Sequence, residues 1–117
     1  MSNNPTVLEI DLSSIEHNLE YFRSKIHGST KILCVVKASA YGTDPLIISK
    51  FLEDQQIDYF AVAYVDEGIA LRKSGIKTPI LVLHPQIGNL ELLIEHHLEP
   101  NLYSKKILLS FLSLTKK

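Results

Sequence analysis

The 117 residues carry 12 Lys and Arg against 13 Asp and Glu, for a net charge of −1, and 45% are hydrophobic. That balance describes a globular chain of one domain or less, with no overall electrostatic pull toward nucleic acid or an anionic membrane surface. No apolar run approaches the roughly 20 residues of a membrane span, and the opening Ser2-Asn3-Asn4-Pro5 lacks the basic and apolar regions of a secretory signal, so the cytoplasm is the default expectation.

Five times the chain passes from a short apolar run to a helical pattern, the βα rhythm of a parallel sheet. Residues 7–11 are predicted as the first strand. Ser13 with Glu16 reads as a Ser-x-x-Glu capping box, and Ile15, Leu19, Phe22 and Ile26 recur at helical spacing until Gly28 stops the helix. Residues 32–36 are expected to form a fully buried second strand, which takes the lone Cys34 into the core as an inert thiol. Asp44 caps the next helix, with Pro45 at its first position and Leu46, Ile47, Phe51 and Leu52 along its apolar face to about Gln56.

Residues 59–63 are the third strand. Asp66 and Glu67 complement the amino terminus of a helix that Gly75 ends, while Glu53, Asp54 and Asp58 read as a solvated face. Residues 80–83 form the fourth strand, closing at His84-Pro85. A helix marked by Leu90, Leu93 and Ile94 runs to His97, residues 100–102 make a short fifth strand, and Ile107, Leu108, Phe111, Leu112 and Leu114 mark a last amphipathic helix. A closed (β/α)8 barrel needs eight such units and typically about 250 residues. The expected fold is therefore α/β, about the first half of a TIM-type barrel, with residues 1–117 read as one truncated amino-terminal domain.

Reactive groups in such architectures gather at the carboxyl ends of the strands. Lys37 stands there, at the end of an apolar run. Desolvation at that point would favour the neutral amine, a nucleophile able to form a Schiff base with carbonyl compounds. Position alone leaves equally open a lysine that snorkels its head into water. Tyr41, four residues on, is by position an ordinary half-buried aromatic, and Val35 and Leu83 are good core residues. His84 is the one histidine at a strand end; no histidine pair shows the i, i+4 spacing of a helical metal site, and no metal ligand is assigned.

The octet Val35-Val36-Lys37-Ala38-Ser39-Ala40-Tyr41-Gly42 resembles the cofactor-lysine motif of alanine racemases, Val-Val-Lys-Ala-Asn-Ala-Tyr-Gly-His-Gly. Val7 to Leu12 with His17-Asn18-Leu19 is similar to that family's opening strand and helix. Ala61 to Gly68, Leu71-Arg72, Gly75-Ile76 and Pro79 to Leu83 match its next two strands in order, and Leu98-Glu99-Pro100 with Tyr103-Ser104 resembles the strand after those. The departures are Ser39 for asparagine and Thr43-Asp44 for His-Gly.

The resemblance implies pyridoxal 5'-phosphate as cofactor, alanine as the small-molecule substrate, and a homodimer. It implies that Lys37 forms the internal aldimine and serves as one of two bases, that Tyr41 reaches the cofactor phosphate, and that Val35 and Leu83 line the cofactor face. It also implies a first strand outside the barrel proper, leaving four barrel strands here. The second base, a tyrosine of the partner subunit's carboxyl-terminal domain, and the arginines for the pyridine nitrogen and the substrate carboxylate would lie outside these 117 residues. Arg72, mid-helix and far from the strand ends, is expected to be structural or solvated. Other barrel-type pyridoxal-phosphate racemases or decarboxylases, and a non-catalytic βα module, are the competing readings.

Overall fold

The computed structural model describes residues 4–116. The chain falls into two compact units, one ending at Thr30 and one beginning at Lys31.

The first unit holds one helix, α1 (Leu12–Lys25). Asp11 caps it: its carboxylate accepts hydrogen bonds from the Ser13 and Ser14 N–H groups at 3.0 and 3.3 Å and from the Ser14 hydroxyl at 2.9 Å. Hydrogen bonds from the Ser13 and Ser14 hydroxyls are the main causes that hold the Asp11 carboxyl below its usual range. The expected box of Ser13 and Glu16 is thus displaced by an acid two positions earlier, whose two oxygens take several donors at once. Helical geometry ends at Lys25, before Gly28, because Ile26 is already extended (φ −115°, ψ 162°). Residues 7–11 form no strand, and Val7 and Leu8 are 72% and 61% exposed. An apolar, extended stretch becomes a strand only when a ladder partner takes its N–H and C=O groups, and this one has none.

The second unit is a four-stranded parallel sheet in the order β1 (Leu33–Val35), β2 (Tyr59–Val62), β3 (Ile80–Val82), β4 (Glu99–Pro100). Between them lie α2 (Lys37–Gly42), α3 (Pro45–Asp54), α4 (Val65–Lys73), a 3-10 turn at Ile87–Asn89 and α5 (Leu90–Glu95); α6 (Lys105–Thr115) follows β4. Chain order equals sheet order, which is the sequential winding of the first half of a TIM-type barrel. Four parallel strands are the number the resemblance implied.

Register assigns the two faces. Cys34, Phe60 and Ile80 are partners in one row, and Val62 and Val82 lie two residues further on the same face. Phe60, Ile80, Val62 and Val82 are fully buried, with α4 packed on β2 and β3 and α5 on β4. The alternate row, Val35, Ala61, Leu81 and Glu99, lies on the opposite face; Ala61 is buried between larger neighbours, Val35 and Leu81 are half-buried and Glu99 is exposed. In a closed barrel that second face is the interior. The predicted full burial of residues 32–36 fails for the same reason: β1 is first in the sheet order, Leu33 is 42% exposed and Cys34 is half-buried.

Two glycines mark tight places. Gly75 (φ +100°) follows α4 in a Schellman ending, with its own N–H bonded to Arg72 O at 3.0 Å and the Ile76 N–H to Leu71 O at 3.2 Å. A Cβ on Gly68 would come within 2.8 Å of Leu98, so a hydrogen here lets α4 approach the entry to β4.

Polar side chains stitch the amino-terminal ends of the strands. Arg72 donates to four carbonyls: Nη1 to Ile76 O and Thr78 O at 2.9 and 2.8 Å, Nε to His96 O at 3.1 Å and Nη2 to His97 O at 3.0 Å. Glu53 Oε2 accepts the Lys77 N–H, Thr78 N–H and Thr78 hydroxyl at 2.8, 2.9 and 2.8 Å, and Asp58 accepts the Ile32 N–H at 2.8 Å. Arg72 is structural, as expected. Glu53 is not part of the solvated face that was anticipated, its side chain being 18% exposed, whereas Asp58 is exposed even as it bonds Ile32, and Asp54 at 63% fits that reading and pairs with Lys50 at 3.4 Å.

Candidate active site at the carboxyl ends of the strands

The last ladder bond of β1, Val36 N–H to Ala61 O at 2.9 Å, delivers the chain to Lys37. Val36 departs from strand geometry (φ −122°, ψ 28°), and Ala38, Ser39, Ala40 and Tyr41 then adopt left-handed helical conformations with φ from 51° to 60°. Gly42 follows at φ +89°. A left-handed L-residue costs about 1–2 kcal/mol, and runs of them are rare. Four in succession is therefore a stored strain of several kcal/mol, of the kind that persists at functional sites when the surroundings hold it in place. The small side chains at 38, 39 and 40 limit the clash of Cβ with the carbonyls.

The restraints can be named. Ala40 N–H bonds to Val36 O at 3.2 Å, Thr43 N–H to Ser39 O at 2.9 Å and the Thr43 hydroxyl to Ala40 O at 2.7 Å. Asp44 then caps α3 through the Leu46 and Ile47 N–H groups at 3.0 and 3.1 Å, as the sequence predicts. Glu67 supplies the restraint from outside: Oε2 accepts the Ala38 N–H at 2.8 Å, while Oε1 accepts the Ala63 and Tyr64 N–H groups, each at 2.9 Å. Behind the turn lies a cavity of about 140 Å³ lined by Val36, Ser39, Leu46, Val62, Glu67 and Leu71, among others.

Of the residues singled out in the sequence, Lys37 and Tyr41 share this turn. Lys37 is half-buried; Tyr41 is 65% exposed, more than a core aromatic would be. Val35, half-buried, is on the barrel-interior face of β1, and Leu83, also half-buried, continues the row of Leu81 past β3 through its N–H bond to Val62 O at 2.8 Å.

The neighbouring strand ends contribute an aromatic group that sequence reasoning did not assemble. His84 stacks on Tyr103 at 5.0 Å between centroids with an interplanar angle of 16°, and stands edge-on to Tyr64 at 6.0 Å. The Tyr103 hydroxyl donates to Pro85 O at 2.9 Å. The three rings follow β3, β4 and β2 in turn, so only pairing order brings them together. Glu67 was read as a helix-terminus acid, which it is in part. Its second oxygen reaches a residue 29 positions away, a contact with no local sequence signal.

A half-open parallel sheet, with a lysine on a strained turn and exposed rings at the carboxyl ends of its strands, defines a barrel-type α/β protein of the lysine-bearing class. The family model "Alanine racemase, N-terminal domain" matches residues 10–117, and the chain belongs to that family. It is 37% identical over 103 residues to alanine racemase 1 of Caldanaerobacter subterraneus subsp. tengcongensis, an alignment covering 87% of this chain and 26% of that protein. With the serine/alanine racemase of Enterococcus gallinarum the identity is 47% over 77 residues, 66% of this chain and 11% of that one. The structure of Clostridium difficile alanine racemase in complex with cycloserine superposes with a TM-score of 0.95 at 33% identity, covering 99% of this chain and 32% of that chain. The chain thus spans about a quarter of the length of the first of these relatives. Among the described residues no helix is long and apolar enough to cross a membrane.

Proposed function

We propose that this chain is the amino-terminal, lysine-bearing part of a pyridoxal-phosphate-dependent alanine racemase, which interconverts L- and D-alanine for cell-wall precursors in the cytoplasm and works as a homodimer. The observation that carries the reading is Lys37 at the head of a strained left-handed turn, at the carboxyl end of a parallel strand, in a chain of the alanine racemase family. The residues present fit the cofactor. Lys37 offers an amine, and Tyr41, mostly exposed, has its hydroxyl free for a phosphate oxygen. Val35 and Leu83 offer an apolar wall for one face of a planar ring.

Bound pyridoxal phosphate supplies an electron sink that acidifies the substrate α-C–H. This chain's residues hold and move the proton. Racemisation takes it from one face of the α-carbon and returns one to the other, so a base is needed on each face. The Lys37 amine serves one face. By resemblance, a tyrosine of the partner subunit serves the opposite one. The left-handed turn keeps the lysine backbone from swinging away, and the small residues at 38 to 40 let the chain pass close to the ring.

Incubating the chain with pyridoxal phosphate, reducing with borohydride and mapping peptides tests this. The pyridoxyl group is expected on Lys37; its appearance on Lys31 or Lys50 instead would sink the assignment. In a coupled D-alanine assay the 117-residue polypeptide alone should give no measurable turnover, since it carries one of the two bases.

A further inference from the structure

We propose that Glu67 is the positioning residue of Lys37, acting through the backbone of Ala38. The inference rests on the reading of Lys37 as the cofactor lysine. Glu67 occupies the third position of α4, where a carboxylate ordinarily reaches back to its own helix terminus as half of a capping box. Its Oε1 does that, taking the Ala63 and Tyr64 N–H groups at 2.9 Å. Oε2 is turned the other way and takes the Ala38 N–H at 2.8 Å.

Ala38 is the first left-handed residue, φ 51° and ψ 53°, and the one that follows Lys37. Its N–H belongs to the same peptide plane as the Lys37 carbonyl. Fixing that plane fixes the direction in which the lysine side chain leaves the backbone. The bonds from the Ala40 N–H to Val36 O and from Thr43 to Ser39 O and Ala40 O close the turn on itself. Besides these backbone bonds, the Glu67 carboxylate braces the start of the turn from outside it, anchored on the end of β2 and the start of α4. Because an ionised acceptor makes the stronger kind of hydrogen bond, the brace suits a strained backbone. An acid at this place does two jobs that a plain helix cap does not require.

Glu67→Gln separates the two jobs. The amide oxygen can keep the Ala63 and Tyr64 bonds, but its NH2 then faces the Ala38 N–H, donor against donor. In the full 117-residue chain, amide hydrogen exchange followed by NMR should speed up at Ala38 by about tenfold to a hundredfold, the loss expected for a bond to a charged acceptor. Amides of β2 and β3 should be unaffected. In parallel, the share of borohydride-trapped pyridoxyl group found on Lys37, relative to Lys31 and Lys50, should fall. Adding Ser39→Gly to Glu67→Gln should recover part of both, since glycine enters the left-handed region without the Cβ clash.

Exchange that is unchanged at Ala38, or that rises equally at all amides, would reduce Glu67 to a helix cap and overturn the proposal. A wild-type chain that takes no label on Lys37, while Ala38 still responds to Glu67→Gln, would instead overturn the cofactor-lysine reading and with it the positioning role.

Discussion

At the amino-terminal ends of the strands each acid and arginine of note is committed to backbone groups, whereas at the carboxyl ends the chain is strained and aromatic rings stand half in solvent. Arg72, Glu53 and Asp58 between them satisfy four carbonyls and three N–H groups and tie α3, α4 and the loops entering β1, β3 and β4 into one frame. On the other side, four left-handed residues are held by a few hydrogen bonds, and Tyr41, Tyr64 and Tyr103 are exposed. Backbone-satisfying polar contacts gather at one pole, and the proposed chemistry at the other. That division matches the general pattern of barrel folds, in which the loops after the strands vary with function. It also means that substitutions at the two poles should fail in different currencies, one in folding and one in ligand chemistry.

The largest effect is expected at Arg72. Replacing it with Met removes five hydrogen-bond donors and leaves four carbonyls to water or to nothing, at a loss of about 2–4 kcal/mol. Burial pulls the guanidinium pKa down and the Glu53 carboxylate pulls it back up, so the site tolerates the charge because an acid is near. Arg72→Lys should recover less than half of the loss, because an ammonium cannot span the fork that reaches the Thr78 carbonyl on one side and the His97 carbonyl on the other. Urea denaturation measures both. Labelling of Lys37 in the residual folded fraction should be unchanged, and a parallel fall in labelling would show that the poles are coupled.

How far the two poles were legible in the sequence differs in the same way. The βα rhythm, the Asp44-Pro45 start of α3 and the Gly75 stop of α4 are local signals, and the structure bears each out. The apolar run at residues 7–11 carries the same local signal without a partner to pair with, which is why periodicity alone misassigned it. Glu53 looked like a surface acid because its donors, at Lys77 and Thr78, lie 24 and 25 residues away. Lys37 and Tyr41 could be placed together on one turn because a motif keeps them four apart. Tyr64, His84 and Tyr103 have no shared motif, and only the order β2-β3-β4 brings their rings together.

A smaller, pH-dependent effect follows from Glu53. Partial burial pushes its carboxyl up, but the Thr78 N–H and hydroxyl, the Lys77 N–H and the Lys50 charge together outweigh it and hold it below the usual carboxylate value. The sign follows from that direction. Above about pH 4.3, the ordinary glutamate value, both folded and unfolded states are ionised and the stabilisation is fully present. As pH falls further the unfolded chain takes up its proton first, and the contribution is lost as pH drops through the folded value. Glu53→Gln should therefore lower the Tm at pH 7 by an amount that shrinks toward zero in acid. A gap that stays constant from pH 7 to pH 3 would mean the charge is not what matters.

Tyr41 should show the smallest effect on folding and a clear one on chemistry. Its side chain is 65% exposed, so Tyr41→Phe deletes a hydroxyl that no packing contact needs, and stability should stay within about 0.5 kcal/mol of wild type. The backbone of the turn keeps its bonds to Val36, Glu67 and Thr43 in that variant, since none of them involves the ring. If the hydroxyl holds a phosphate oxygen, the pyridoxal phosphate concentration needed to half-label Lys37 should rise by about fivefold to tenfold, the worth of one hydrogen bond of about 1 kcal/mol or slightly more. Pyridoxal without its phosphate supplies the control, because it has nothing for the hydroxyl to hold and should label both chains alike. Equal phosphate-dependent labelling of wild type and Tyr41→Phe would remove Tyr41 from the proposed site, leaving the proposal to rest on Lys37 and the strained turn.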